Sequence, residues 1–82
     1  MKPKVTLYTR AGCHLCEDAK LVLAEARRRA EFEYEELDID GDPALRAMYN
    51  EEVPVVAVNG VNAFRYGVDL EALLKRISAI MI

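Results

Sequence analysis

Val5-Thr6-Leu7-Tyr8-Thr9-Arg10-Ala11-Gly12-Cys13-His14-Leu15-Cys16 opens as a strand and closes as a helix. Val5 to Thr9 is a β-branched and aromatic run, which predicts a strand. Ala11-Gly12 breaks it. From Leu15 onward the apolar positions are Leu15, Ala19, Val22, Leu23, Ala26 and Ala30. That is the helical period, with Glu, Lys and Arg on the other face. Cys13 and Cys16 therefore stand at a strand-to-helix junction. The first helical turn has unpaired N–H groups and a partial positive charge, so a thiolate there is stabilised. Cysteines at such sites titrate at about 3.5–7.5, against ~8.5 for a free thiol. No Ser, Thr, Asp or Asn stands just ahead of this helix, so the Cys13 sulfur is placed to cap it. Cys16, one turn later on the same side, is expected to be the more enclosed thiol.

The rest of the chain extends this βα start. Phe32 to Ile39 reads as a second strand whose alternation slips by one near Glu35-Glu36, which predicts a bulge there. Asp42-Pro43 is a helix start, and the short helix runs to about Tyr49, with Asn50 ending it. Val53 to Val58 is an apolar strand. Asn59-Gly60 is a hairpin turn, and Val61 to Tyr66 is the returning strand. Gly67 breaks it, and Leu70, Leu73, Leu74, Ile77 and Ile80 mark a C-terminal amphipathic helix. The order β-α-β-α-β-β-α predicts an α/β protein. Its first two strands run parallel through a right-handed crossover, its last two form an antiparallel hairpin, and helices flank a four-stranded mixed sheet.

Composition bounds what such a fold can do. The chain has 82 residues, which is one domain's worth, so residues 1–82 are read as a single domain. Hydrophobic residues make up 52% and charged residues 30%, the balance of a folded globule. Eleven Lys and Arg face fourteen Asp and Glu, for a net charge of −3, which argues against a generic nucleic-acid binder. No apolar run approaches the ~20 residues of a membrane span, and the N-terminus has no signal-peptide pattern, so a cytoplasmic protein is expected. A secreted scaffold stapled by disulfides usually carries four or more cysteines, and this chain has two. A cross-link between them closes a loop so short that chain entropy gains only about 2 kcal/mol. Stability is a poor reason for the pair, and chemistry is the better one.

The chemistry these positions suit is disulfide exchange. Cys13 attacks a disulfide and forms a mixed disulfide; Cys16 then attacks Cys13 and releases the reduced product. Two alternatives stand beside this: a pair of inert helix cysteines, and a metal site. Tetrahedral zinc takes four protein ligands, whereas Cys13, Cys16 and His14 are the only soft candidates. No protein-held metal is expected, and a [2Fe–2S] cluster or zinc would need a second chain or outside thiols.

Tyr8 to Cys16, Val53-Pro54-Val55 and Asn59-Gly60 together resemble the glutaredoxin branch of the thioredoxin superfamily. The likeness is closest to small bacterial glutaredoxin-like proteins, which carry a similar CHLC motif, a segment like Asp38-Ile39-Asp40 and a Tyr before the Val-Pro, like Tyr49. It covers nearly the whole chain and implies a thioredoxin-like fold and thiol–disulfide oxidoreductase activity. It implies further that Pro54 is cis, leaving the Val53 backbone free to pair with an incoming peptide or glutathione. It places His14 and Leu15, between the cysteines, on the substrate side. Arg10 takes the position of a basic residue that holds the glycine carboxylate of glutathione. Gly67 and Asp69 align with the glycine and aspartate that hold the γ-glutamyl end, but Tyr66 replaces the first glycine of that motif. Asp69 reads equally as the N-cap of the last helix.

Glutathione is accordingly one candidate electron donor and a flavin-dependent thioredoxin-type reductase the other; no tightly bound cofactor is expected. The substrates implied are disulfide-containing proteins or small molecules, with no nucleic acid or membrane partner, and the chain is expected to be a monomer. His14, when protonated, would favour the Cys13 thiolate and make the protein more oxidising; its other reading is an exposed residue without a role. Tyr8, Tyr49 and Tyr66 could line a substrate groove or simply pack. Glu31 to Asp42 holds seven acidic residues in twelve, which reads as a solvated surface before it reads as a docking face. A non-catalytic adaptor is the third class of function considered.

Overall fold

β1 (Lys4–Thr9) lies inside the sheet, in the order β2-β1-β3-β4. The computed structural model describes residues 2–80. After β1 come α1 (His14–Arg29), β2 (Glu33–Asp38), a 3-10 turn (Ile39–Gly41), α2 (Pro43–Tyr49), β3 (Val55–Val58), β4 (Val61–Arg65) and α3 (Leu70–Ile80). β1 pairs with β2 in parallel and with β3 antiparallel, and β3 pairs with β4 antiparallel. The predicted element order and mixed sheet are therefore present.

The period of two in β1 and β3 divides the core. Val5 and Leu7, opposite Val58 and Val56, face α1 and α3 and bury with Ala19, Leu23, Ala26, Leu73 and Ile77. Tyr8, opposite Val55, turns to the other face, where Ile39, Tyr49 and Leu45 pack. α1 and α3 thus cover one face of the sheet, and α2 with the 3-10 turn covers the end of the other. β3 is buried along its whole length, as a central strand must be.

The bulge expected near Glu35-Glu36 is absent. β2 pairs residue for residue with β1, from Lys4 opposite Glu33 to Thr9 opposite Asp38. The slip in the hydrophobic pattern has another cause. Phe32 and Tyr34 pack against the α1 side of the sheet, and Ile39 has left the strand for the 3-10 turn and the other core. The irregularity lies instead in the hairpin: Ala57 faces Asn62 and Val56 faces Phe64, so Ala63 is the extra residue. β3 begins at Val55, two residues later than predicted, and β4 ends at Arg65, one residue earlier. The turn itself is as expected. Asn59 and Gly60 both take positive φ, 51° and 82°, as a two-residue type I′ turn demands.

The acidic stretch has mostly structural partners. Glu35 pairs with Lys4, Glu36 with Lys20 and Asp40 with Arg10. Asp38 and Asp42 cap the 3-10 turn and α2, each accepting a backbone N–H at 2.9 Å.

Candidate active site

The register of the sheet collects the site at one end. Tyr8 pairs with Val55, and Val55 pairs with Arg65. The chain that leaves β1 toward Cys13, the Val53-Pro54 segment that enters β3 and the Tyr66-Gly67 segment that leaves β4 therefore share that end. The Val53–Pro54 peptide bond is cis. The Pro54 carbonyl accepts the Tyr66 N–H at 2.8 Å, tying the two segments together. Among the described residues, neither backbone polar group of Val53 has a protein hydrogen-bond partner.

Cys13 is the N-cap of α1. Its Sγ accepts the Cys16 N–H at 3.1 Å, so the sulfur fills the place of the missing Ser, Thr, Asp or Asn. Cys13 and Cys16 are joined as a disulfide, with Cα atoms 5.2 Å apart. Cys13 is partly exposed and Cys16 is fully buried. Gly12, at φ 74°, turns the chain into the cap, a conformation glycine adopts without penalty. His14 is exposed and, with Gly12, Cys13 and Glu17, lines an open hollow of about 290 Å³. Leu15 is 49% exposed, an apolar side chain facing solvent beside the redox pair. The buried polar side chains are Thr6 and Thr9, so no buried carboxylate stands near Cys16 among the described residues.

Arg10 is engaged within the protein. Its Nε and Nη2 donate to the two carboxylate oxygens of Asp40, at 3.2 and 2.6 Å, and its Nη1 donates to the Asn50 carbonyl and Oδ1, at 2.9 and 3.0 Å. It clamps the β1–α1 loop to the 3-10 turn and to the end of α2. The bidentate hydrogen bond and the charge of Arg10 hold Asp40 below the usual carboxylate range. A depressed folded-state pKa adds stability that is complete above the unfolded value of about 3.9 and is lost as pH falls through the folded one. Asp40→Asn is therefore expected to lower the melting temperature by a constant amount at neutral pH, with the gap closing in acid. Melts of both proteins from neutral pH into acid check this. A gap that stays constant into strong acid would remove the ion pair as its cause.

Asp69 caps α3, with Oδ2 accepting the Ala72 N–H at 2.9 Å. Tyr66, where the resemblance calls for glycine, holds φ 64° and is 56% exposed. That left-handed conformation costs a non-glycine residue about 1–2 kcal/mol. Tyr8 and Tyr49 belong to the packing: their ring centroids are 4.5 Å apart, and Tyr49 is buried. The sequence reading missed Asn50 as a partner of Arg10, and it missed Met48. The latter had a signal, since Leu45 and Tyr49 define the buried face of α2 and Met48 falls off it, at 59% exposure.

A parallel βαβ unit with two cysteines at its helix N-terminus, followed by a cis-proline hairpin, defines a thioredoxin-like fold. Solved structures agree. A thioredoxin mutant of Halobacterium salinarum, 18% identical, superposes with a TM-score of 0.73 over 95% of this chain and 74% of its own. The structure of protein Ne2328 from Nitrosomonas europaea is 30% identical, with a TM-score of 0.80 over 94% of this chain and 93% of that one. Residues 4–78 match the glutaredoxin-like domain family DUF836, and the chain belongs to it. A curated relative, an uncharacterized protein of Mycobacterium tuberculosis, is 38% identical over 64 residues, covering 72% of this chain and 66% of its own length, just under two thirds. No helix among the described residues is long and apolar enough to cross a membrane.

Proposed function

We propose that this chain is a dithiol thiol–disulfide oxidoreductase. The observation that carries the reading is Cys13 Sγ in the N-cap position of α1, partly exposed and accepting the Cys16 N–H, over a fully buried Cys16. An N-cap sulfur faces the unpaired N–H groups and positive end of the helix, which favours thiolate over thiol. The reduced protein's Cys13 thiolate attacks a substrate disulfide, breaking its S–S bond, releasing one thiolate and forming a mixed disulfide. Cys16 attacks Cys13 Sγ and passes its proton to the departing substrate sulfur, which leaves as a thiol. Two electrons have passed to the substrate, and the protein holds the Cys13–Cys16 disulfide until a donor thiol pair reduces it. Such a reductant belongs in a compartment that keeps thiols reduced, which fits a cytoplasmic location.

The donor we favour is a thioredoxin-type reductase over glutathione. Three positions of the glutathione pattern are already engaged or altered: Arg10 on Asp40 and Asn50, Asp69 on the α3 N-terminus, and Tyr66 in place of a glycine. Redox titration of the purified protein against glutathione, read by thiol trapping and mass, tests both parts. A reversible disulfide without glutathione adducts on Cys13 is the expected result. Adducts on Cys13 would restore glutathione as donor. The absence of a reversible disulfide at any poise would end the dithiol reading.

A further inference from the structure

An open cavity of about 430 Å³ lies between the C-terminal end of α2 and the Tyr66 turn, lined by Ala47, Met48, Asn50, Glu51, Glu52 and Tyr66. Its walls have two characters. Met48 and Tyr66 are apolar or aromatic and are 59% and 56% exposed. Glu51 and Glu52 are acidic. Glu52 pairs with Arg65 at 3.1 Å, whereas Glu51 has no ion pair or side-chain hydrogen bond among the described residues. Arg10 is held by Asp40 and by Asn50, itself in the cavity wall. The lining thus carries two carboxylates, one of them unpaired, and no cation of its own, together with an exposed aromatic ring, and Tyr66 is one backbone hydrogen bond from Pro54.

We propose that this cavity receives a lysine or arginine side chain flanking the cysteine of a peptide disulfide substrate; the inference rests on the oxidoreductase reading above. A long basic side chain matches both kinds of wall. Its methylene stem lies on Met48 and the Tyr66 ring, and its charged head reaches Glu51 and the ring face. The place is suitable, because an extended peptide pairing with the open Val53 backbone runs past Tyr66 with its side chains on alternate sides. Tyr66 is thus a specificity residue. The same wall repels glutathione, whose carboxylates would approach Glu51 and Glu52.

The test uses the full chain and one short peptide carrying Arg, Gln or Glu beside its cysteine. Binding is read first with the cysteine replaced by serine, so that no thiol chemistry is needed. The Arg peptide is expected to shift the NMR signals of the Met48 methyl and Tyr66 ring, and the Glu peptide to leave them unmoved. Equal shifts, or none, overturn the cavity assignment whether or not the protein is an oxidoreductase. Exchange is read next, as the rate at which the Cys16→Ser protein forms a mixed disulfide with each peptide disulfide. The Arg peptide is expected to react about tenfold faster than the Glu peptide at low salt, with the ratio falling as salt rises. Glu51→Gln and Tyr66→Gly should each bring the Arg-to-Glu ratio toward one. Glycine at position 66 accepts the positive φ, so that variant is expected to fold. A ratio that survives both substitutions would also overturn the proposal. Failure of even the Gln peptide to exchange would strike the oxidoreductase reading instead, leaving the binding result to decide the cavity.

Discussion

Cys13→Ser is expected to abolish disulfide reduction, lowering the rate by about a thousandfold or more, because the remaining thiol, Cys16, is fully buried and out of reach of a substrate disulfide. The substitution is a clean one. Serine is among the best N-cap residues, and its Oγ can accept the Cys16 N–H in place of Sγ. The helix keeps its cap, so lost activity reports lost chemistry. Cys13→Ala removes cap and nucleophile together and should also destabilise the fold by about 1 kcal/mol. Cys16→Ser should retain the first step and stop at the mixed disulfide, visible as a mass increase equal to the bound substrate thiol. Cys16 is fully buried, so a serine there places a hydroxyl in an apolar setting at a cost of about 1–3 kcal/mol, and Cys16→Ala is the companion variant. Full reductase activity in Cys13→Ser would show that the nucleophile has been misassigned.

Leu23→Ala should produce the largest loss of stability. Leu23 is fully buried in the larger core, on the α1 face that meets Val5, Leu7, Val56, Leu73 and Ile77. Comparable truncations cost about 2.7–5 kcal/mol, transfer and cavity terms together. A domain of this size has roughly 5–15 kcal/mol in total. The melting temperature should fall by about 10 °C or more, at ~4–8 °C per kcal/mol. Leu21→Ala, two residues away on the same helix, is the control. Leu21 is 71% exposed, and its truncation should stay within about 0.5 kcal/mol. Thermal melts by circular dichroism separate the two. Equal losses in both variants would mean that α1 docks by another face.

The helix face that Leu23 defines was legible because periodicity is a local property. Ala19, Leu23 and Ala26 recur at the helical period, and the structure buries them. The hairpin was legible for a similar reason, since Asn-Gly has few other uses between two apolar runs. β2 was harder. It is an edge strand covered in part on both faces, so its side chains carry a mixed pattern, and that mixture imitated a bulge. The real bulge sits in β4, where Ala63 carries no sequence signal of its own.

Chain order and side-chain chemistry determined the βαβ start, the cysteine cap, the hairpin and the amphipathic faces. These depend on residues within a turn or two of one another, where local sterics and periodicity act. The tertiary structure decided what distant residues do to each other. Arg10 reads as a free cation until Asp40, thirty residues on, and Asn50 take its hydrogen bonds. Tyr66 reads as a blocked glycine position until the fold sets it beside Met48 and Glu51 as the wall of a cavity. Hydrogen bonds and charges act over a few ångströms of space, and only the folded sheet brings those ångströms together.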